Sequence, residues 1–238
     1  MMRSLFSGVT GLRNHQIKMD VIGNNIANVN TVGFKKSRVT FQDTLSQTMR
    51  GAAAPQGNRG GTNPMQVGLG MTIASIDTIH SSSSAESTGN MTDLAIEGEG
   101  YFILQGEGLE RYFTRAGNFG FDTNGNLVNT ANGLKVLGWQ TSDFRVPDDK
   151  SPQDIGPIQI RKGMMDQPSD TTQDGYTAGT LTGITVDTSG VITGIFDNGL
   201  SWELAQIAIA NFDNPAGLIK VGQNMYSYSN NSGEPQIG

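Results

Sequence analysis

Asp122, Asn124 and Asn126 stand at alternate positions, the spacing at which a calcium loop presents its first oxygen ligands. Such a loop also needs glycine at its sixth position and a bidentate glutamate at its twelfth, where this chain has Leu127 and Gly133. The same residues fit a hairpin turn, because Asn124-Gly125 supplies the positive φ of a type I′ turn. Glu97 and Glu99 are the nearest paired carboxylates for acid–base work, yet Gly98 and Gly100 make their segment a solvated turn. His80 precedes the serine run 81–84, but neighbours on a strand point to opposite faces and cannot form a nucleophile–base pair. His15 is the only other histidine, and cysteine is absent. Disulfides, thiolate chemistry and cysteine-based metal sites are therefore excluded, and a general base has little to draw on. The glycine pairs 68/70, 98/100 and 106/108 lack the third glycine of a dinucleotide loop. No catalytic residue, cofactor or metal is expected, and the chain reads as a non-enzyme.

Charge and composition point the same way. The 238 residues include 32 glycines and only 16% charged residues, which suits short strands joined by many turns. Residues 1–60 hold eight Lys or Arg against Asp20 and Asp43, so the net charge of −6 conceals a basic front and an acidic remainder. Those cations are scattered singly around a helix without interleaved aromatics, so they read as a solvated face and no nucleic acid is expected. No run approaches the roughly twenty apolar residues of a membrane helix, and no membrane insertion is expected. Arg3, Ser4, Ser7 and Gly8 interrupt the apolar stretch that a cleaved signal requires. Export, if it occurs, is expected without a cleaved signal peptide.

The elements begin with a helix expected over residues 4–29. Leu5, Leu12, Met19 and Ile26 recur at heptad spacing, with Val9, Gln16 and Gly23 as the second line of a coiled-coil seam. That stripe is too narrow to be a core and asks for another helix. Ser4 is a candidate N-cap, and Asn28, Asn30 and Gly33 form a stop. A strand is expected over 32–41 and a short helical turn over 41–49. Residues 51–70, rich in Gly, Ala, Asn and Pro without apolar periodicity, read as an extended connector. The expected organisation is an assembly arm over 1–30, a connector over 31–70 and a β-rich domain over 71–238. Within that domain, the proline-bearing stretch 143–180 reads as an insertion or small lobe.

Hairpins are signalled at Asn124-Gly125, Asn132-Gly133 and Asn198-Gly199. The segment 122–127 (DTNGNL) is echoed by 187–192 (DTSGVI), a weak internal repeat of a hairpin turn. Residues 203–212 read as a buried strand. Phe102, Phe113, Phe119, Phe121, Trp139, Trp202 and Phe212 are expected to fill a core rather than to form a stacking row for sugars, and a secreted glycan-binding β module is the remote alternative. The fold class is mainly β, with an N-terminal amphipathic, coiled-coil-forming helix and a domain of short strands and hairpins.

The run 20–35 (DVIGNNIANVNTVGFK), continued by 36–41 (KSRVTF), resembles the signature of the bacterial flagellar rod and hook family of axial proteins. Segments 94–102 (LAIEGEGYF), 114–119 (TRAGNF), 210–218 (ANFDNPAGL) and 221–224 (VGQN) extend the likeness in order. Within the family, 31–41, 66–70 and 87–89 resemble hook members in a compact form lacking large outer domains, with the distal rod as the alternative. Family members finish with a second long helix that pairs with the first. Nothing after Phe212 suits that helix, so the chain is expected to be a fragment of a longer protein or to receive the partner helix from elsewhere.

The resemblance implies a structural subunit of the flagellar hook, an extracellular helical homopolymer that acts as a flexible joint passing torque to the filament. Implied partners are further copies of itself, the distal rod protein, the hook cap protein, the hook–filament junction proteins and the flagellar type III export apparatus. The assembly interface is expected at Leu5, Val9, Leu12, Met19, Ile22 and Ile26, with Asn24, Asn25, Asn28, Asn30 and Phe34. Those asparagines fit two roles, a hydrogen-bonded register device between packed helices or simple termination of the helix. Without its partner the arm is expected to be largely disordered, and the mechanical give is expected in the 51–70 connector.

Overall fold

The computed structural model describes residues 2–81, 84–108, 110–141, 150–161, 163–165 and 179–238. They form two compact units, Met1–Thr31 with Lys35–His80, and Val32–Phe34 with Ser81–Gly238.

The first unit is a helix lying along a hairpin. Helix α1 (Met2–Ala27) contains no proline and ends where Asn28 turns its amide back onto the Asn24 carbonyl at 2.9 Å. Its first turn begins ahead of Ser4, which sits inside the helix rather than capping it. Strand β1 (Ser37–Asp43) continues through β2 (Ser46–Arg50) and returns as β3 (Met65–Gly68) and β4 (Met71–Thr78). β1 pairs antiparallel with β4 from Ser37↔Thr78 to Asp43↔Met71, with a bulge between Thr40 and Phe41. β2 pairs with β3 from Ser46↔Gly68 to Arg50↔Met65, and bridges at Ala53↔Thr62 and Gln56↔Arg59 carry the ribbon towards its tip.

Three expectations change here. Residues 41–43 and 46–49 are strand, not a helical turn, because β4 and β3 claim their backbone groups. The 31–70 connector is largely one arm of this hairpin and part of its return. The division between units falls at 80/81 rather than near 70, since β4 belongs to the hairpin. The distal ribbon eluded the sequence because β2 and β3 are exposed along both faces, which leaves no apolar alternation to read.

The second unit comprises β5 (Tyr101–Gln105), β6 (Arg111–Thr114), β7 (Phe119–Phe121), β8 (Leu127–Asn129), β9 (Lys135–Gln140), β10 (Gly156–Pro157), β11 (Leu181–Val186), β12 (Val191–Phe196), β13 (Ser201–Ile207), β14 (Ile209–Asn211), β15 (Ile219–Gly222), β16 (Met225–Ser227) and β17 (Gln236–Ile237). The described pairs are antiparallel, and the main path runs β11-β12-β13-β9-β5-β6-β16-β15. β5 is central. Its Phe102 and Leu104 enter one apolar cluster with Phe119, Val136 and Ile192, while Tyr101 and Ile103 enter another with Phe113, Trp139 and Phe212. The strand period of two therefore feeds two cores from one continuous apolar run.

Gly138 on β9 lets that strand meet its neighbour, since a Cβ there would collide with the Gln206 carbonyl oxygen. Of the aromatic residues expected inside, Phe102, Phe113, Phe119, Trp139 and Phe212 are buried, and Phe121 and Trp202 pack half-buried against the first cluster. Most of 143–180 lies outside the described residues. The described part joins the main core, with Ile158 and Ile160 buried in the first cluster and β10 paired to β9.

Candidate assembly surface

Helix α1 has two faces of opposite character, and the apolar one is open. Leu5, Leu12, Met19 and Ile26 are each 65–75% exposed, Val9 is half exposed and Ile22 sits at the margin. Ser7, Thr10, Gly11, Asn14, Ile17, Val21, Asn25 and Asn28 are the partly covered residues. Their spacing of three and four places them together on the side of the helix away from the heptad stripe. No residue of α1 is fully buried. The usual arrangement of a surface helix turns its main apolar stripe inward; here that stripe faces out, and the covered side is mixed, with Ile17 and Val21 among small and polar residues.

Side-chain amides and close approach hold this orientation. Asn14 Nδ2 donates to the Met71 carbonyl at 2.6 Å. Asn25 makes a two-way clamp on one backbone residue, its Nδ2 donating to the Ser37 carbonyl at 2.8 Å and its Oδ1 accepting from the Ser37 N–H at 3.0 Å. One turn before Asn14, Gly70 (φ 122°) lies against Thr10, where a Cβ would strike the threonine hydroxyl. Towards the N-terminus Arg3 Nη1 donates to Gln47 Oε1 at 2.6 Å. His15 meets the Phe41 ring edge-on at 5.4 Å, with the Lys18 ammonium 5.7 Å from the same ring centre. The arm is therefore held against its own hairpin, where it was expected to be largely disordered without a partner helix.

Asn25 bonds the helix to its own hairpin rather than to another helix. Asn28 ends the helix and accepts from Thr31 Oγ1 at 3.2 Å. The side chains of Asn24 and Asn30 are exposed. Phe34 belongs to the second unit, where the Lys220 ammonium lies 4.9 Å from its ring centre and burial lowers the lysine pKa. Asn14, absent from the sequence-derived surface, carries no local signal: an asparagine mid-helix reads as merely tolerated.

The residues examined for chemistry are turn builders. Asp122 Oδ1 accepts from the N–H groups of Asn124 and Asn126, both at 2.8 Å, and Oδ2 accepts from Asn126 Nδ2 at 2.7 Å. These bonds, that from the Asn126 amide first, hold its pKa below the usual value. The echo at 187–192 is structural: Asp122 N–H to Asn126 O and Gly125 N–H to Asp122 O recur as Asp187 N–H to Val191 O and Gly190 N–H to Asp187 O. Around the Glu97–Glu99 turn, Arg115 Nη2 donates to the Gly98 carbonyl at 2.7 Å, and its guanidinium lies 5.2 Å from the Tyr101 ring centre. Burial pushes the Tyr101 hydroxyl up to about 12. A groove of about 750 Å³ beside β9 is lined by Asn124, Asn126, Lys135, Gln140, Gln159 and Arg161 among others, a set of amides and cations. Among the described residues no group of three or more His, Asp or Glu is placed to hold a metal.

Two family descriptions match the chain: "Flagellar hook protein FlgE/F/G D1 domain" over residues 95–194 and "Flagella basal body rod protein" over 5–35. The chain is similar to the flagellar hook protein FlgE of Borreliella burgdorferi, 58% identical over 144 residues, 60% of this chain and 32% of that protein. It is also similar to the flagellar basal-body rod protein FlgG of Bacillus subtilis, 43% identical over 234 residues, 98% of this chain and 76% of that protein. The FlgG of Borreliella burgdorferi is 34% identical over 242 residues, covering all of this chain and 78% of the relative. The chain thus spans between 20% and 36% of these hook proteins and about three quarters of the rod proteins. With the signature in α1 and the β domain both matched, this chain belongs to the flagellar hook and basal-body rod protein family.

Proposed function

We propose that the chain is a structural subunit of the bacterial flagellar hook, polymerising into a helical tube that serves as a flexible joint between motor and filament. The observation that carries this reading is the open apolar stripe of α1. Leu5, Val9, Leu12, Met19, Ile22 and Ile26 would each contribute about 1.5–3 kcal/mol on full burial, and the helix leaves them in water. A stripe of this width fits the groove of another helix. The occupants proposed are the terminal helix characteristic of the family and the same arm of neighbouring copies.

Support for hook over rod comes from one organism's two relatives. Within Borreliella burgdorferi, identity reaches 58% with the hook protein over its matched stretch and 34% with the rod protein. The rod reading is favoured by length, because the rod proteins align along essentially the whole chain. Under either reading the proposed partners are further copies and the neighbouring axial proteins. For the hook these are the distal rod, cap and junction proteins, after export through the flagellar type III apparatus without a cleaved signal peptide. The give of the joint is proposed at the two stretches where the chain passes between units, 31–35 and 80–81, since 51–70 lies within the hairpin ribbon.

Electron microscopy of basal bodies from cells lacking this gene tests the assignment. A completed rod without a hook is the expected result. A truncated rod would favour the second reading, and intact rods and hooks would defeat both.

A further inference from the structure

We infer that Asn14 and Asn25 act as a rotational lock on α1, deciding within the single chain which face of the helix is offered to other copies. Left to the hydrophobic effect, a helix bearing Leu5, Leu12, Met19 and Ile26 on one side would roll that side onto the hairpin. It does the reverse. Asn14 and Asn25 are eleven residues apart, close to three helical turns, so both amides project from one side towards β4 and β1. One holds the Met71 carbonyl and the other holds both polar groups of Ser37. Rolling the helix would break all three bonds and strand part of the backbone groups at the hairpin's end. Gly70 adds a geometric condition: Thr10 rests where any side chain at 70 would stand, so the hairpin closely approaches the helix where Thr10 and Gly11 keep its surface small.

The significance for assembly rests on the polymer reading above, but the lock itself is a property of the unassembled chain and is tested there. Because cysteine is absent, a single introduced thiol reports on one position. L12C lies on the open side and I17C on the covered side. In an otherwise unaltered full chain kept monomeric, the L12C thiol should react with a water-soluble maleimide about tenfold faster than the I17C thiol. Adding N14A and N25A together should bring the two rates within about twofold, or invert their order, while the helical circular dichroism is retained. Restoring Asn25 alone should recover part of the ratio.

Three results would overturn the inference. Equal reactivity in the unaltered background would mean that no phase is set in the free chain. An unchanged ratio in the N14A/N25A background would assign the phase to other contacts. Equal reactivity accompanied by loss of helical signal would mean that the amides support the helix itself and not its rotation. None of these depends on whether tubes form, so failure here is distinct from failure of the hook assignment.

Discussion

Asp122, Asp187 and Asp197 each accept hydrogen bonds from turn amides or hydroxyls that favour the ionised carboxylate, and each pKa is held below the ordinary 3.8. A group ionising more readily folded than unfolded contributes stability that is complete above the unfolded value and is lost as pH falls through the folded one. Thermal melts on acidification from roughly pH 5 to pH 2.5 should therefore show a shallower fall in Tm for Asp122→Asn than for the parent chain. Equal slopes would mean that the turn carboxylate is not coupled to folding. Gly138 is decided by packing, since a methyl there meets the Gln206 carbonyl oxygen and the Ile158 side chain. Gly138→Ala should cost about 3 kcal/mol in denaturant unfolding, the upper range for overpacking. These residues were partly legible beforehand. The Asp-x-x-Gly turns could be read because their chemistry is local, whereas Gly138 reads only as an interruption of a strand until its neighbour is placed.

At the level of elements, the proposed assembly role divides the two sides of α1 between folding and polymerisation. Leu12→Ser removes apolar surface that the single chain leaves in water, so its effect on monomer unfolding should stay within about 0.5 kcal/mol. The same change should sharply reduce polymer formed in a sedimentation assay, because the lost burial belongs to the contact between helices. Ile17→Asp should behave oppositely, destabilising the first unit by placing a charge on the covered side. A Leu12→Ser chain that melts like Ile17→Asp would show that the stripe is already buried in the free protein. The helix itself could be read from its heptads. The hairpin beneath it could not, because β2 and β3 lack an apolar face and their pairing depends on residues some twenty positions apart.

For the molecule as a whole, the two apolar clusters of the second unit draw every member from Leu94 onwards. Residues 32–34 also belong to this unit, tied to it by the Asn224 amide on the Val32 carbonyl at 2.9 Å and by Lys220 over Phe34. Each is worth about 1 kcal/mol, so a protein lacking its first eighty residues should keep a cooperative transition with Tm lowered by only a few degrees, about 2–4 °C per kcal/mol at this size. Loss of the transition would show that the first unit is needed for the second to fold.

Family membership, the mainly β class, the apolar stripe and the glycine-marked turns were determined by the sequence alone, because each rests on residues within a few positions of one another or on a run of recognisable segments. Only the tertiary structure decided that α1 presents the side bearing Asn14 and Asn25, and not its heptad stripe, to its own chain. That outcome depends on Asn14 finding Met71 and Asn25 finding Ser37, bonds between a helix and a strand whose meeting no local pattern announces. Periodicity tells which residues share a face; the partner's backbone donors and acceptors determine which face turns inward.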